Sequence, residues 1–243
     1  MSKIIRNKLD IFIVSAVFFL EVLDATIFTP VLIDISNDLK SPIEITTISI
    51  SSYVFSLALF TPINMIFWGN VSAKNKFMIG MIIFFVASFF CSVSSNIYLL
   101  SISRMLQGFG GALVVPIGRT LVLSKTDKEN IPIVMTFLIW PALFAPVIGG
   151  YITQAYNWKY VFYFILLLSL FILLISSKWL SDDDFYLNDR DRIDLSSYLI
   201  WSFLVLSIFS FFALTTMGYL TLSIVSLLAS FFFLYVILIK KKQ

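Results

Sequence analysis

"LSISRMLQGFGGA", residues 100 to 112, sets a single arginine, Arg104, in the middle of a run of apolar and small residues. On a helix, positions 104, 107, 108 and 111 fall on one face, so the guanidinium, the Gln107 amide, Gly108 and Gly111 share a side. Small residues at that spacing let neighbouring helices approach closely around the charge. A guanidinium enclosed in this way needs an acid on one of those neighbours.

The surroundings of this run are as apolar as the run itself. Of 243 residues, 59% are hydrophobic and 13% charged, and 26 are Phe. A water-soluble domain carries roughly 25% charged residues, so this chain is built for a lipid bilayer. Segments of about 20 residues, enough to cross a hydrocarbon core of about 30 Å, recur along its length. Eight are expected, at 11–33, 45–68, 77–95, 97–123, 131–155, 160–177, 195–214 and 220–239. The first follows Lys3, Arg6 and Lys8 but is too long for a secretion signal and lacks a small-residue cleavage site, so it stays as a membrane helix. Trp68, Trp158 and Trp179 fall near span ends and are expected to anchor at the interface.

The placement of Lys and Arg predicts the orientation. With a cytoplasmic N-terminus, 14 of them lie inside and two, Lys40 and Lys159, outside, and both termini are then cytoplasmic. These basic residues are spread as topology signals and form no patch for nucleic acid. The chain has no His and one Cys, Cys91. An internal disulfide is therefore excluded, and no metal or cofactor is expected. The acidic run Asp182 to Asp184 has no neighbouring His and no spacing suited to chemistry, so it reads as a solvated linker and the chain as a non-enzyme.

Two acids remain to meet Arg104 within the spans. "FLEVLDATIFTP", residues 19 to 30, holds Glu21 and Asp24. Three residues turn a helix by about 300°, so the two share one face. Asp24 precedes the outer end of its span by nine residues and Arg104 follows the outer start of its own by seven. At 1.5 Å per residue, these depths are about 14 and 10 Å, nearly level. An isolated charge there would cost about 2.5–3.5 kcal/mol on insertion scales. A buried ion pair that merely fixes helix packing is one reading. However, one base cannot neutralise two acids, and the acid left over suits a proton-coupling site.

The 100–112 run resembles the fourth-helix signature of the major facilitator superfamily, with Arg104, Gln107, Gly108 and Gly111 in place. "LDATIFTPVLIDI", residues 23 to 35, is similar to the Leu-Asp-x-Thr pattern of the fourteen-span drug:proton antiporters in that superfamily; Leu23, Asp24 and Thr26 match, while Thr29 and Ile33 replace Asn and Pro. "PALFAPVIGGYITQAYNWKYVF", residues 141 to 162, resembles the fifth-helix antiporter pattern. Pro146, Gly149, Gly150, Trp158 and Phe162 are kept, and Pro141 and Ala145 stand for two glycines. "MIFWGNVSAKNK", residues 65 to 76, departs from the family's cytoplasmic latch: Gly69, Asn70 and Ser72 replace Asp, Arg and Gly, so its usual ion pair is not expected.

The resemblance implies an all-α integral membrane protein of the multi-pass type in a cell membrane, as in the bacterial inner membrane. Residues 1–180 would form the family's N-terminal six-helix bundle, an inverted 3+3 repeat. Residues 181–194 would be an acidic cytoplasmic linker, and 195–243 an additional helix pair with a basic tail. The function implied is proton-coupled efflux of a small amphipathic or hydrophobic substrate. Glu21, Asp24 and Arg104 would couple protons, while Thr26, Gln107, Gly108, Gly111, Pro146, Gly149 and Gly150 would line the cavity or pack helices. The second bundle would come from a separate C-terminal half or a second copy. The alternative is a truncated, transport-incompetent membrane protein or subunit.

Overall fold

The structure, a computed structural model, describes residues 3–62, 71–126, 129–132, 141–180 and 195–240. Among the described residues there are nine helices and no strand: α1 (Lys3–Thr26), α2 (Leu32–Asp38), α3 (Ile43–Phe60), α4 (Ala73–Ser92), α5 (Ile97–Lys125), α6 (Pro141–Ala155), α7 (Lys159–Trp179), α8 (Leu195–Thr216) and α9 (Leu220–Lys240). Stretches of α3, α4, α5, α7, α8 and α9 are long and apolar enough to cross a membrane. These helices make the chain a multi-pass membrane protein. Residues 65–70 of the latch segment, 133–140 of the expected fifth span and the linker 181–194 lie outside the described residues.

The first expected span differs from what its hydropathy suggests. Apolar residues continue through Ile33, but α1 stops at Thr26 and the chain turns before α2. Pro30 has no N–H and disfavours a helical backbone at Thr29. The Thr29 N–H donates to Thr26 O (3.4 Å) and the Val31 N–H to Phe28 O (3.1 Å), closing turns in place of helix. Other boundaries follow local chemistry. Ser72 caps α4 by accepting from the Asn75 N–H (3.3 Å), and Asn96 caps α5 by accepting from the Leu99 N–H (2.8 Å). Between α8 and α9, Gly218 takes φ +82° and the Tyr219 N–H reaches back to Leu214 O (2.9 Å).

Helix α5 is central and packs against α1, α3 and α4. Helix α1 also contacts α6 and α7, and α4 contacts α7. Lipid tails give little hydrophobic drive between helices, so close backbone approach matters more here than in water. A Cβ on Gly110 of α5 would stand 2.7 Å from Phe84 N and 2.8 Å from Gly80 O of α4, so these backbones touch. Helices α8 and α9 pair with each other, and α8 leans on α3 through Phe55 and Phe209, whose rings stack at 4.3 Å. The membrane-spanning window of α5 is 56% buried, against 11% for each of α8 and α9, which therefore form a peripheral pair.

Two basic and aromatic residues sit differently from their sequence reading. Trp158 is no interfacial anchor: it is 1% exposed, edge-on to Phe162, and its indole N–H donates to Asp38 Oδ2 (2.9 Å). The turn at 27–31 allows α2 to reach it. Trp179 is exposed as an anchor would be, and Trp68 lies outside the described residues. Lys76, counted among the loop charges, is buried in the first turn of α4.

Candidate functional site: an enclosed charge cluster between α1, α3, α4 and α5

Arg104 and Asp24 meet as their depths require. Arg104 Nη1 donates to Asp24 Oδ2 at 2.7 Å, with the side chains 1% and 0% exposed. The same Nη1 donates to Gln107 Oε1 (2.7 Å), and Gln107 Nε2 donates to Asp24 Oδ1 (3.2 Å) and to Ser88 Oγ of α4 (2.9 Å). The Cys91 thiol, also on α4, lies 3.7 Å from Gln107 Oε1. Both Asp24 oxygens are thus satisfied, and the pair is tied to a third helix through Gln107.

Aromatic rings enclose the guanidinium. Its central carbon lies 4.9 Å from the Phe28 centroid, 4.5 Å from Tyr53 and 6.0 Å from Phe162. Phe28 and Phe162 stack on each other at 4.4 Å. Cation–π contacts of this sort contribute about 0.5–2 kcal/mol each, more as water is excluded. Arg104 Nε, buried, has no hydrogen-bond partner among the described residues.

Glu21 occupies the adjoining space with a different set of neighbours. The Tyr53 hydroxyl of α3 donates to its Oε2, while Oε1 is buried without a hydrogen-bond partner among the described residues. The carboxyl lies over Gly111: a Cβ there would stand 2.7 Å from Oε2 and 2.8 Å from Oε1. The absence of a side chain at 111 is what makes room for the acid.

Of the residues singled out in the sequence, Glu21, Asp24, Arg104, Gln107 and Gly111 are brought together. Gly108 turns toward α3, against the Tyr53 carbonyl oxygen, in a seam that continues as Ser56 Oγ to Met105 O (2.6 Å) and Ser52 Oγ to Ser101 O (3.2 Å). Gly149 meets the Ile27 carbonyl oxygen where α6 crosses the end of α1; Gly150 is looser, with Pro30 carbons no nearer than 3.8 Å. Pro146 lies inside α6. Thr26 is apart from the cluster and bonds its own helix, Oγ1 to Val22 O at 2.8 Å. Sequence reasoning missed Tyr53, Phe28 and Ser88, and gave Phe162 only as a match to a motif. For Tyr53 a signal exists: Ser49, Ser52, Tyr53 and Ser56 recur at helical spacing as one polar stripe in an apolar span, and all four are buried.

Comparison with known proteins agrees with this architecture. The chain is 30% identical over 202 residues to the putative multidrug resistance protein MdtD of Cronobacter sakazakii, a match covering 80% of this chain and 41% of that protein. It is 31% identical over 161 residues to the protein of the same name from Escherichia fergusonii, covering 64% and 34%. The chain thus spans well under half the length of these relatives. Among solved structures, the human organic anion transporter MFSD10 (TETRAN) superposes with a TM-score of 0.58 at 13% identity, covering 86% of this chain and 56% of that one. The model of the Major Facilitator Superfamily matches residues 14–240. With that match over most of its length, the chain belongs to the Major Facilitator Superfamily.

Proposed function

We propose that the chain supplies one bundle of a proton-coupled exporter of small amphipathic or hydrophobic molecules, working by antiport. The observation that carries this reading is the charge count of the enclosed cluster: two acids, Glu21 and Asp24, around one base, Arg104. An ion pair that only fixed packing would need one acid. The second provides a group that binds a proton from one side of the membrane and gives it up to the other, the usual role of ionisable groups in spans. Glu21 and Asp24 together make the proton site, and Arg104 sets how readily the proton leaves. The multidrug-resistance naming of the relatives supports export and a drug-like cargo.

In this reading the chain has eight spans. Residues 1–180 form a six-helix bundle of inverted 3+3 repeats, 181–194 a cytoplasmic linker and 195–243 an extra pair, with both termini cytoplasmic. Alternating access takes two bundles, so a C-terminal half or a second copy completes the transporter. The test is export of a lipophilic dye from vesicles holding the assembled transporter, driven by an imposed pH gradient. Asp24→Asn should insert in equal amount and lose the gradient-driven component. Unchanged gradient-driven export would remove Asp24 from the mechanism.

A further inference from the structure

We infer that Glu21, rather than Asp24, is the acid that exchanges the proton, and that Tyr53 is the positioning residue linking its state to α3. This deepens the proton-coupled reading and rests on it. The two carboxyls differ in how they are held. Each Asp24 oxygen has its own donor, Arg104 Nη1 on Oδ2 and Gln107 Nε2 on Oδ1. Placing a proton on Asp24 would neutralise the acid of an ion pair whose guanidinium is itself 1% exposed. Among the described residues Glu21 has one donor, the Tyr53 hydroxyl on Oε2, and its buried Oε1 has no partner. A proton arriving from water forms an O–H bond at Oε1 and breaks no existing contact; on leaving it returns to water on the other side.

Among the described residues, the titratable and charged groups around Glu21 are few. They are Asp24 on its own helix, Tyr53 on α3, Arg104 on α5 and, beyond Gln107, the Cys91 thiol on α4. Helix α6 carries one titratable side chain, Tyr151, which is exposed. The two lysines of α7 lie at its ends, beside Trp158 and Trp179. With Arg104 engaged by Asp24, the proton on Glu21 sets the net charge of the cluster.

Tyr53 touches every part of this arrangement. Its hydroxyl is on Glu21, its ring lies 4.5 Å from the Arg104 guanidinium carbon, and its carbonyl oxygen abuts Gly108 in the α3–α5 seam. Gain or loss of the Glu21 proton changes the acceptor of the Tyr53 hydroxyl from an acid to a carboxylate. That change falls on a ring wedged against the ion pair and on the backbone where α3 meets α5.

The experiment is pH-difference infrared spectroscopy of the full chain in phospholipid vesicles, following the carbonyl band of protonated carboxylic acids. The wild-type chain should show a titrating band that disappears in Glu21→Gln. Tyr53→Phe, which keeps the ring and removes only the hydroxyl, should retain the band but shift both its frequency and its titration midpoint. Should Glu21→Gln disturb the helices, carboxyl-labelled glutamate in the wild-type chain assigns the band without mutation. Glu21 is the buried one of three glutamates, Glu44 and Glu129 being exposed. A band that follows aspartate label and vanishes in Asp24→Asn would overturn the assignment to Glu21 while leaving proton coupling standing. Absence of any titrating band from either acid would overturn both. An unchanged frequency and midpoint in Tyr53→Phe would remove Tyr53 from the role given to it.

Discussion

Asp24 and Arg104 are 80 residues apart in sequence and 2.7 Å apart in space, with almost no solvent on either. Removing one partner of such a pair strands the other, which costs about 3–5 kcal/mol, whereas removing both leaves neither of the two without its counter-charge. Asp24→Asn and Arg104→Gln should therefore each lower the stability of the detergent-solubilised chain strongly, and the double substitution should cost less than their sum. Denaturant titration of the four proteins measures this; additive costs would show that the two charges are not coupled. A second residue-scale prediction concerns Gly111. Its missing side chain is the space in which the Glu21 carboxyl lies, so Gly111→Ala should destabilise the fold by about 1–3 kcal/mol through overpacking. Shortening the acid in the same chain, Glu21→Asp, should recover part of the loss, and the same unfolding measurement reads it. The ion pair was legible in the sequence because depth along a helix is simple arithmetic, 1.5 Å per residue from each end. The partner of Glu21 was not, since it depends on which way α3 is rotated, and that rotation is set by the serine stripe and by Gly108 of a helix far away in sequence.

At the scale of elements, hydropathy located the starts of α5 and α9 to the residue, because cap and turn residues coincide there with the loss of apolar character. It failed at the end of α1, where the chain stays apolar while Pro30 stops the helix. The break matters to the site. It lets Phe28 stack on Phe162 beside Arg104, and it exposes the Ile27 carbonyl oxygen to α6. Gly149 takes up that carbonyl, whereas Gly150, one residue on, has Pro30 carbons at ordinary contact distance. The two glycines, which the sequence treats alike, should respond differently to the same change. Gly149→Ala should force α6 away from α1 and destabilise by about 1–3 kcal/mol, while Gly150→Ala should stay within about 0.5 kcal/mol of the parent. Thermal unfolding of both variants in one detergent would show the contrast, and equal effects would argue against close packing at Ile27.

For the whole molecule, the distribution of Lys and Arg implies one orientation, with Lys40 outside and the basic residues after α7 inside. The fold offers a clean way to check it, because the single native cysteine, Cys91, is 0% exposed and should stay silent to a polar thiol reagent. Lys40, in the turn after α2, and Lys178, in the last turn of α7, are both exposed and sit at opposite ends of the bundle's α1–α7 packing. In intact cells, a membrane-impermeant maleimide should label Lys40→Cys and leave Lys178→Cys unlabelled until the membrane is permeabilised. The unsubstituted chain should remain unlabelled in both conditions. Since the two sites are separated by an odd number of expected crossings, labelling both from outside would contradict the span count between them. The reverse pattern would keep the count and invert the orientation, placing the charge cluster of Glu21, Asp24 and Arg104 nearer the cytoplasm than its depth on α1 and α5 now implies.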